Sequence, residues 1–382
     1  MSHKTRLAVL DTARGLMALW VMLHHVGLAV GCDFPVVRYG LIPVDVFMFI
    51  SGLLMTFNFL NRAEIEPLSH PNTWKVFYIR RFFRIAPLYY LCLLIALAFN
   101  DGLSSARDIL SSAFPPPWAD QLVNAVKPVS NSSLRDALLH VTFLFGLFPE
   151  HVSTNALPDW SLSLEMQFYL IVPVLVLSMN RIGLALPTII LVLLNIVALA
   201  HIGLYLWPKD LGLWPQPSFL ALRIAAFVVG ILFAYWIVRR QTSILLAALC
   251  ICVLTQHVYF TLIIMAVGWA MENHDHFFTR TATIRPLRYL GDISYGIYLI
   301  HMLILLPVGA ALLSIGAFAA PPAIRFAIAL VAVGIPVIVL SGLAHRWIEM
   351  PMIAFGRNAL AGRQRFTFSQ PRRHATEDVK MT

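Results

Sequence analysis

The sequence predicts an all-α, polytopic membrane protein of about ten transmembrane helices with both termini cytoplasmic. Three observations predict it. Of the 382 residues, 59% are apolar and only 12% charged, whereas a soluble domain carries roughly 25% charged residues. The mean hydropathy is +0.76. Apolar stretches near the ~20 residues needed to cross a hydrocarbon core recur from one end of the chain to the other.

The expected spans begin near Leu7, Leu41, Val76, Trp160, Ile182, Ser218, Ser243, His257, Tyr289 and Pro322. The first contains Asp11 and Arg14, and no small-residue cleavage site follows, so it reads as a retained span rather than a signal peptide. Residues 243–272 are long for one helix and short for two full spans, so two short helices or a re-entrant pair are expected there. Between the third and fourth spans lies the longest connection, residues 100–159, interrupted by Pro115, Pro116 and Pro117 and carrying an apolar patch at 141–148. Prolines break a helix, and the patch is unsuited to water, so this loop is expected to fold back over the outer mouth. Residues 1–357 form one transmembrane domain by this reading. Residues 358–382 form a polar, basic cytoplasmic tail, expected to be disordered or to lie against anionic lipid.

Cations set the orientation. With the N-terminus inside, the cytoplasmic segments hold Lys4, Arg6, Arg62, Lys75, Arg80, Arg81, Arg84, Arg181, Arg239, Arg240, Arg280, Arg285, Arg288 and the basic tail; the outer segments hold only Arg38, Arg107, Lys127, Arg135, Lys209 and Arg325. The net charge of +9 is thereby explained by topology. No patterned basic helix or zinc spacing supports a nucleic-acid partner. Three of the four cysteines, Cys92, Cys250 and Cys252, fall in apolar runs, so neither a disulfide framework nor a metal site is expected.

Ionisable residues inside spans cost about 2.5 to 3.5 kcal/mol at a helix centre, so they face a polar interior and mark a site. This rule selects Asp11, Arg14, His24, His25, Asp45, Glu165, Arg223 and His301. Eleven residues separate Arg14 from His25, which returns to within about 20° of the same helix face after a rise of roughly 16 Å. His24 is turned about 100° away from that face, so His25 is the better candidate. Counted from the helix ends, His25, Asp45, Glu165 and Arg223 fall at about the same outer depth. A carboxylate beside a neutral imidazole would orient it and raise its basicity toward a hydroxyl proton; a structural ion-pair network is the plainer reading. At the inner end of the third span, Arg81 and Arg84 share a face. They read either as topology anchors or as forks for phosphate.

The chain resembles the integral-membrane acyltransferase family 3. The matching pieces are Leu-Asp-Thr-Ala-Arg-Gly followed by His25, Val-Asp-Val-Phe-Met-Phe-Ile-Ser-Gly ending at Gly52, Arg-Arg-Phe-Phe-Arg-Ile-Ala-Pro ending at Pro87, Trp-Ser-Leu-Ser-Leu-Glu-Met-Gln-Phe-Tyr from Trp160 to Tyr169, Gly-Asp-Ile-Ser-Tyr-Gly-Ile-Tyr-Leu-Ile-His ending at His301, and Ile-Glu-Met-Pro ending at Pro351. The resemblance implies a multi-pass enzyme of the inner (plasma) membrane that transfers an acyl group, usually acetyl, from cytoplasmic acyl-coenzyme A to a hydroxyl of a carbohydrate or envelope glycan. It maps Arg14 and His25 onto the family's first-helix arginine and essential histidine, Arg81 and Arg84 onto the paired arginines of the third helix, and Glu165 onto the acid of the Trp-Ser-Leu motif; the mechanism expected on these residues has His25 as general base or transient acyl carrier, Glu165 and Asp45 as catalytic carboxylates, and Arg14, Arg81 and Arg84 at the coenzyme. Arg223, Trp160, Ser161, Ser294, Tyr298 and His301 are expected to contact substrate. Met166 stands where many relatives have a second acid or a glutamine, which argues against a carboxylate pair at that point. A transporter or flippase of a polar or lipid-linked substrate is the rival reading, since intramembrane charges and broken helices also mark translocation paths.

Overall fold

The computed structural model describes residues 3–114, 134–200, 216–256, 258–273 and 276–364. Those residues are all-helical apart from short connections, with no strand among them. The proline triplet 115–117, Lys127, Lys209 and the tail beyond 364 lie outside the described residues.

Helix α1 (His3–Ala29) is followed by α2 (Leu41–Asn61) and α3 (Pro71–Ala98). Helix α3 starts with proline at its first position, where the missing N–H costs nothing, and His70 caps it by accepting from the Asn72 N–H at 3.2 Å. The connection that the sequence reading places outside contains α4 (Asn100–Ala113) and α5 (Leu134–Val141), with short 3₁₀ turns at Phe145–Leu147 and Pro149–His151. Next come α6 (Trp160–Ile182), α7 (Ala185–Leu199), α8 (Ile224–Arg239), α9 (Thr242–Thr255) and α10 (Val258–Glu272). Short helices α11 (Phe277–Ala282) and α12 (Arg285–Asp292) precede α13 (Ser294–Ser314). A last long helix begins as α14 (Pro322–Ala344), opens into a π turn at His345–Glu349, and continues as α15 (Met350–Gln364).

A helix stands at each expected span, but five of these segments have the length and apolarity to cross a membrane: α2, α3, α6, α13 and the continuous stretch Pro322–Leu360. Helices α7 to α10 have 14 to 16 residues, short of the ~20 a perpendicular crossing requires. Helix α1 has 27 residues and carries Asp11 and Arg14 within it. Residues 243–272 do form two short helices. Two boundaries differ from expectation. The segment from Tyr289 is split between α12 and α13, and α15 carries helix past residue 357 to Gln364.

Helix α8 is buried on nearly every side, and it crosses α2 with backbones almost touching. A Cβ on Gly52 would collide with the Phe227 carbonyl, and one on Gly230 with the Phe49 carbonyl. Glycine at both positions permits this approach, as small residues do at membrane helix interfaces. Phe168 of α6 stacks on Phe227 at 4.1 Å, tying a third helix to the pair. On the outside, Leu186, Ile189, Ile190 and Leu193 of α7 and Val331, Ile335 and Val339 of α14 are exposed, an apolar exterior suited to lipid.

Candidate active site

Three cavities share walls in series, called inner, middle and outer after the sides they would take in the topology expected from the sequence. The inner one, about 430 Å³, is lined by Arg62, Arg80, Arg81, Arg84 and Arg357, with Glu66 and Asn58. The middle one, about 90 Å³, shares Met55, Arg81 and Arg84 with it and adds Arg14, Ser51, Ser161, Glu165, Tyr169, Ser294 and Tyr298. The outer one, about 550 Å³, shares Tyr298 with the middle cavity and is lined by His24, His25, Arg38, Tyr39, Asp45, Trp160, Gln216, Arg223 and Gln256. The sequence of lining groups runs from guanidinium through hydroxyl to imidazole.

In the middle cavity, Arg81 is held by ring faces. Its guanidinium carbon lies 5.8 Å from the Phe77 ring centre and 5.9 Å from that of Tyr169, and its Nε has no hydrogen-bond partner. Flat support of this kind leaves the fork of the guanidinium available for an anion. Glu165 accepts from the Ser51 hydroxyl at 2.8 Å and from the Tyr169 hydroxyl at 3.0 Å. Ser294 donates to the Gly291 carbonyl at 2.7 Å. Gly291 packs so tightly on α1 that a Cβ there would meet the Asp11 carbonyl, which explains a glycine in that motif and brings α12 and α13 to the Arg14 side of α1. Glu349 arrives from the π turn. One carboxylate oxygen lies 3.9 Å from Arg84 and 3.5 Å from His345, and the side chain is buried. The extra residue of a π turn rotates the following side chains, a distortion often found at functional sites.

Tyr298 stands between the middle and outer cavities. Its hydroxyl donates to the Pro158 carbonyl, so Ser161, 2.7 Å away, donates to it in turn. Beyond it, Arg223 donates to both oxygens of Asp45, at 3.3 and 3.1 Å, and Trp160 offers a ring to the outer cavity. His25 is half-buried at this wall. Its nearest ring partner is His301, whose Nε2 lies 3.1 Å from His25 Nδ1.

The expected grouping of His25 with two carboxylates differs from what is found. Asp45 and His25 line one cavity, but Asp45 is taken up by Arg223; Glu165 belongs to the middle cavity beside Arg14, Arg81 and Arg84. Helix-entrance arithmetic gave depth without azimuth, so it could not tell which face each carboxylate presents. His301 is fully buried and lines none of the three cavities. Sequence reasoning also missed the residues that fasten the outer connection. Asp136, His140, Asp159 and Tyr89 are all nearly inaccessible. His140 Nδ1 lies 3.2 Å from Asp159, His151 Nδ1 lies 2.8 Å from Asp136, and Tyr89 donates to Asp159 at 3.0 Å. The i, i+4 spacing of Asp136 and His140 was the available signal. Ser163 and Ser218 complete the attachment by donating to the Phe143 and Gly146 carbonyls at 2.8 and 2.9 Å.

A family model described as an acyltransferase domain matches residues 7–341. Among curated proteins, the chain is 26% identical over 339 residues to the peptidoglycan O-acetyltransferase OatA of Listeria monocytogenes, covering 76% of this chain and 48% of that protein. It is 27% identical over 199 residues to the regulator of hypoxia-inducible factor 1 of Caenorhabditis elegans, covering 45% and 34%. It is 22% identical over 293 residues to the nose resistant to fluoxetine protein 6 of the same organism, covering 62% and 33%. The chain thus spans a third to a half of the length of these relatives. No solved structure matches it significantly.

Proposed function

The chain belongs to acyltransferase family 3, and on that premise we propose that it is an integral-membrane O-acyltransferase. It moves an acyl group, acetyl foremost, from cytoplasmic acyl-coenzyme A to a hydroxyl of a carbohydrate or envelope glycan. The observation that carries this reading is the run of three adjoining cavities from an arginine cluster to His25. In the proposed topology the chain crosses the inner membrane ten times with both termini inside, tilted or thinned-bilayer crossings accommodating the short helices. A glycan acceptor is supported by the likeness to the Listeria relative, which is named a peptidoglycan O-acetyltransferase.

The coenzyme's phosphates bind the inner arginines, where Arg81 and Arg84 offer guanidinium forks and Arg62, Arg80 and Arg357 add charge. Its pantetheine arm rises along the Arg14 face of α1, and the ~16 Å between Arg14 and His25 is comparable to the length of that arm. The acceptor enters the outer cavity from the opposite side, its sugar ring against Trp160 and its hydroxyl toward His25. Tyr298 turns aside to let the thioester meet the hydroxyl. His25 takes the hydroxyl proton as general base.

Thiol release from acetyl-coenzyme A by the purified protein, with chitooligosaccharides as acceptor, tests the reading. His25→Ala is expected to abolish transfer while coenzyme binding persists, and near-normal turnover would overturn the assignment. Arg81→Ala and Arg84→Ala are expected to raise the donor KM about tenfold or more, as loss of a charge-assisted contact of 1.5–3 kcal/mol implies.

A further inference from the structure

His25 and His301 come from distant parts of the chain, on α1 and α13, and their ring centres lie 5.0 Å apart with planes inclined by 37°. Each Nδ1 sits 3.0 Å from the carbonyl one turn earlier in its own helix, Val21 for His25 and Ile297 for His301. A carbonyl oxygen only accepts, so each Nδ1 carries the hydrogen, and each neutral ring keeps its lone pair on Nε2. The pair is therefore directional. The bare Nε2 of His301 also lies 3.1 Å from His25 Nδ1, so the single hydrogen there is shared between the Val21 carbonyl and His301, and the lone pair of His25 is left on Nε2. Among the described residues that nitrogen has no protein partner, and His25 faces the outer cavity. His301 is wholly inaccessible behind it.

We infer that His301 is the positioning residue of the reaction: it accepts the Nδ1–H of His25 and so presents Nε2 of His25, bare and correctly turned, to the acceptor hydroxyl. This inference rests on the proposed role of His25 as general base. The place that a carboxylate holds in a serine-hydrolase triad is held here by a neutral imidazole. In the step, the acceptor's proton passes to His25 Nε2 and its oxygen bonds to the thioester carbonyl carbon. The C–S bond then breaks, and the departing thiolate takes the proton back from Nε2. While His25 is imidazolium, its Nδ1–H becomes a charge-assisted donor to His301. A neutral acceptor supports that charge without requiring a desolvated carboxylate at rest.

The surroundings leave this task to His301. His24 is turned edge-on to His25, with ring centres 5.3 Å apart, and its own Nδ1 is bonded to the Val37 carbonyl at 2.9 Å. The other titratable or charged groups around the cavity are Arg38, Tyr39, Asp45, Arg223 and Tyr298. Arg38 is paired with Asp33, Arg223 with Asp45, and Tyr298 is bonded to Ser161 and Pro158.

Two polar substitutions of similar character separate the acceptor role from a packing role. A glutamine amide reaches the position of His301 Nε2, whereas an asparagine amide reaches only that of Nδ1. The full chain is reconstituted in lipid, and thiol release from acetyl-coenzyme A is followed with water or chitotetraose as acceptor. His301→Gln is expected to stay within about threefold of the wild type, while His301→Asn loses about tenfold to a hundredfold in kcat, a share of general-base catalysis, at unchanged acetyl-coenzyme A KM. Normal turnover in His301→Asn, or equal impairment of both variants, would overturn the inference. Turnover surviving in His25→Ala would instead overturn the general-base reading, so the two failures are distinguishable.

Discussion

Glu165 shows how a residue can be found by sequence and still be misplaced by it. Its position in an apolar span marks it as functional, and it does stand in the central cavity, but its partners are Ser51 and Tyr169 rather than the imidazole. Glu165→Gln is therefore expected to raise the acetyl-coenzyme A KM several-fold through the neighbouring arginines, leaving the pH profile of kcat unchanged; saturation kinetics across pH checks both parts. Asp45 and Arg223 were legible as buried charges but not as each other's partner, because 178 residues separate them. Removing Arg223 leaves Asp45, only 5% exposed, without compensation, a loss of about 3–5 kcal/mol when a buried pair is broken on one side. Thermal denaturation should show Arg223→Ala far less stable than the double variant Asp45→Asn, Arg223→Gln. The helical repeat puts Arg14 and His25 on one face of α1, and in the structure they line the middle and the outer cavity respectively. It carried no information on His301, which approaches from another helix.

At the scale of elements, the α2–α8 crossing is the place where one added side chain does most harm. Gly230→Leu has to displace backbone at Phe49, and overpacking of this kind costs about 1–3 kcal/mol or more. A lowered melting temperature with loss of activity is expected, measured by thermal shift in detergent. The outer connection answers to pH. Burial opposes charging of His140, yet Asp159, followed by Asp136, raises its pKa above the ordinary 6.5. A raised folded-state value means that the stabilisation is fully present below pH 6.5 and is lost as pH rises through the elevated value. Limited proteolysis of the segment around α5 should accordingly be slow at pH 6 and quicken in alkaline buffer, and His140→Leu should remove the dependence. From its apolar patch the sequence predicts a loop folded back over the outer mouth; Phe143 and Phe145 of that patch are buried, whereas Val141 and Leu144 are exposed. The polar fasteners were illegible because they join α3, α5 and the start of α6, three segments with no common periodicity.

For the whole molecule, the sequence placed a helix at each expected span, while the lengths of α7 to α10 show why counting residues is a poor guide to crossings. Hydropathy records composition along one strand of chain, whereas a short helix can be accommodated by its neighbours and by lipid. Cysteine-labelling from either side at exposed connections near Arg38 and Arg240 is expected to report opposite compartments; labelling from the same side would remove the proposed topology. The single phenol at Tyr298 has a further consequence for the cell. A protein hollowed from both faces, as the proposed topology has it, is a potential short circuit for the ion gradients across its bilayer, and Tyr298 is the residue that lines both hollows. Vesicles carrying Tyr298→Ala are expected to dissipate an imposed proton gradient faster than those carrying the native chain, so turnover must be timed such that the ring swings aside only when donor and acceptor themselves stop the leak.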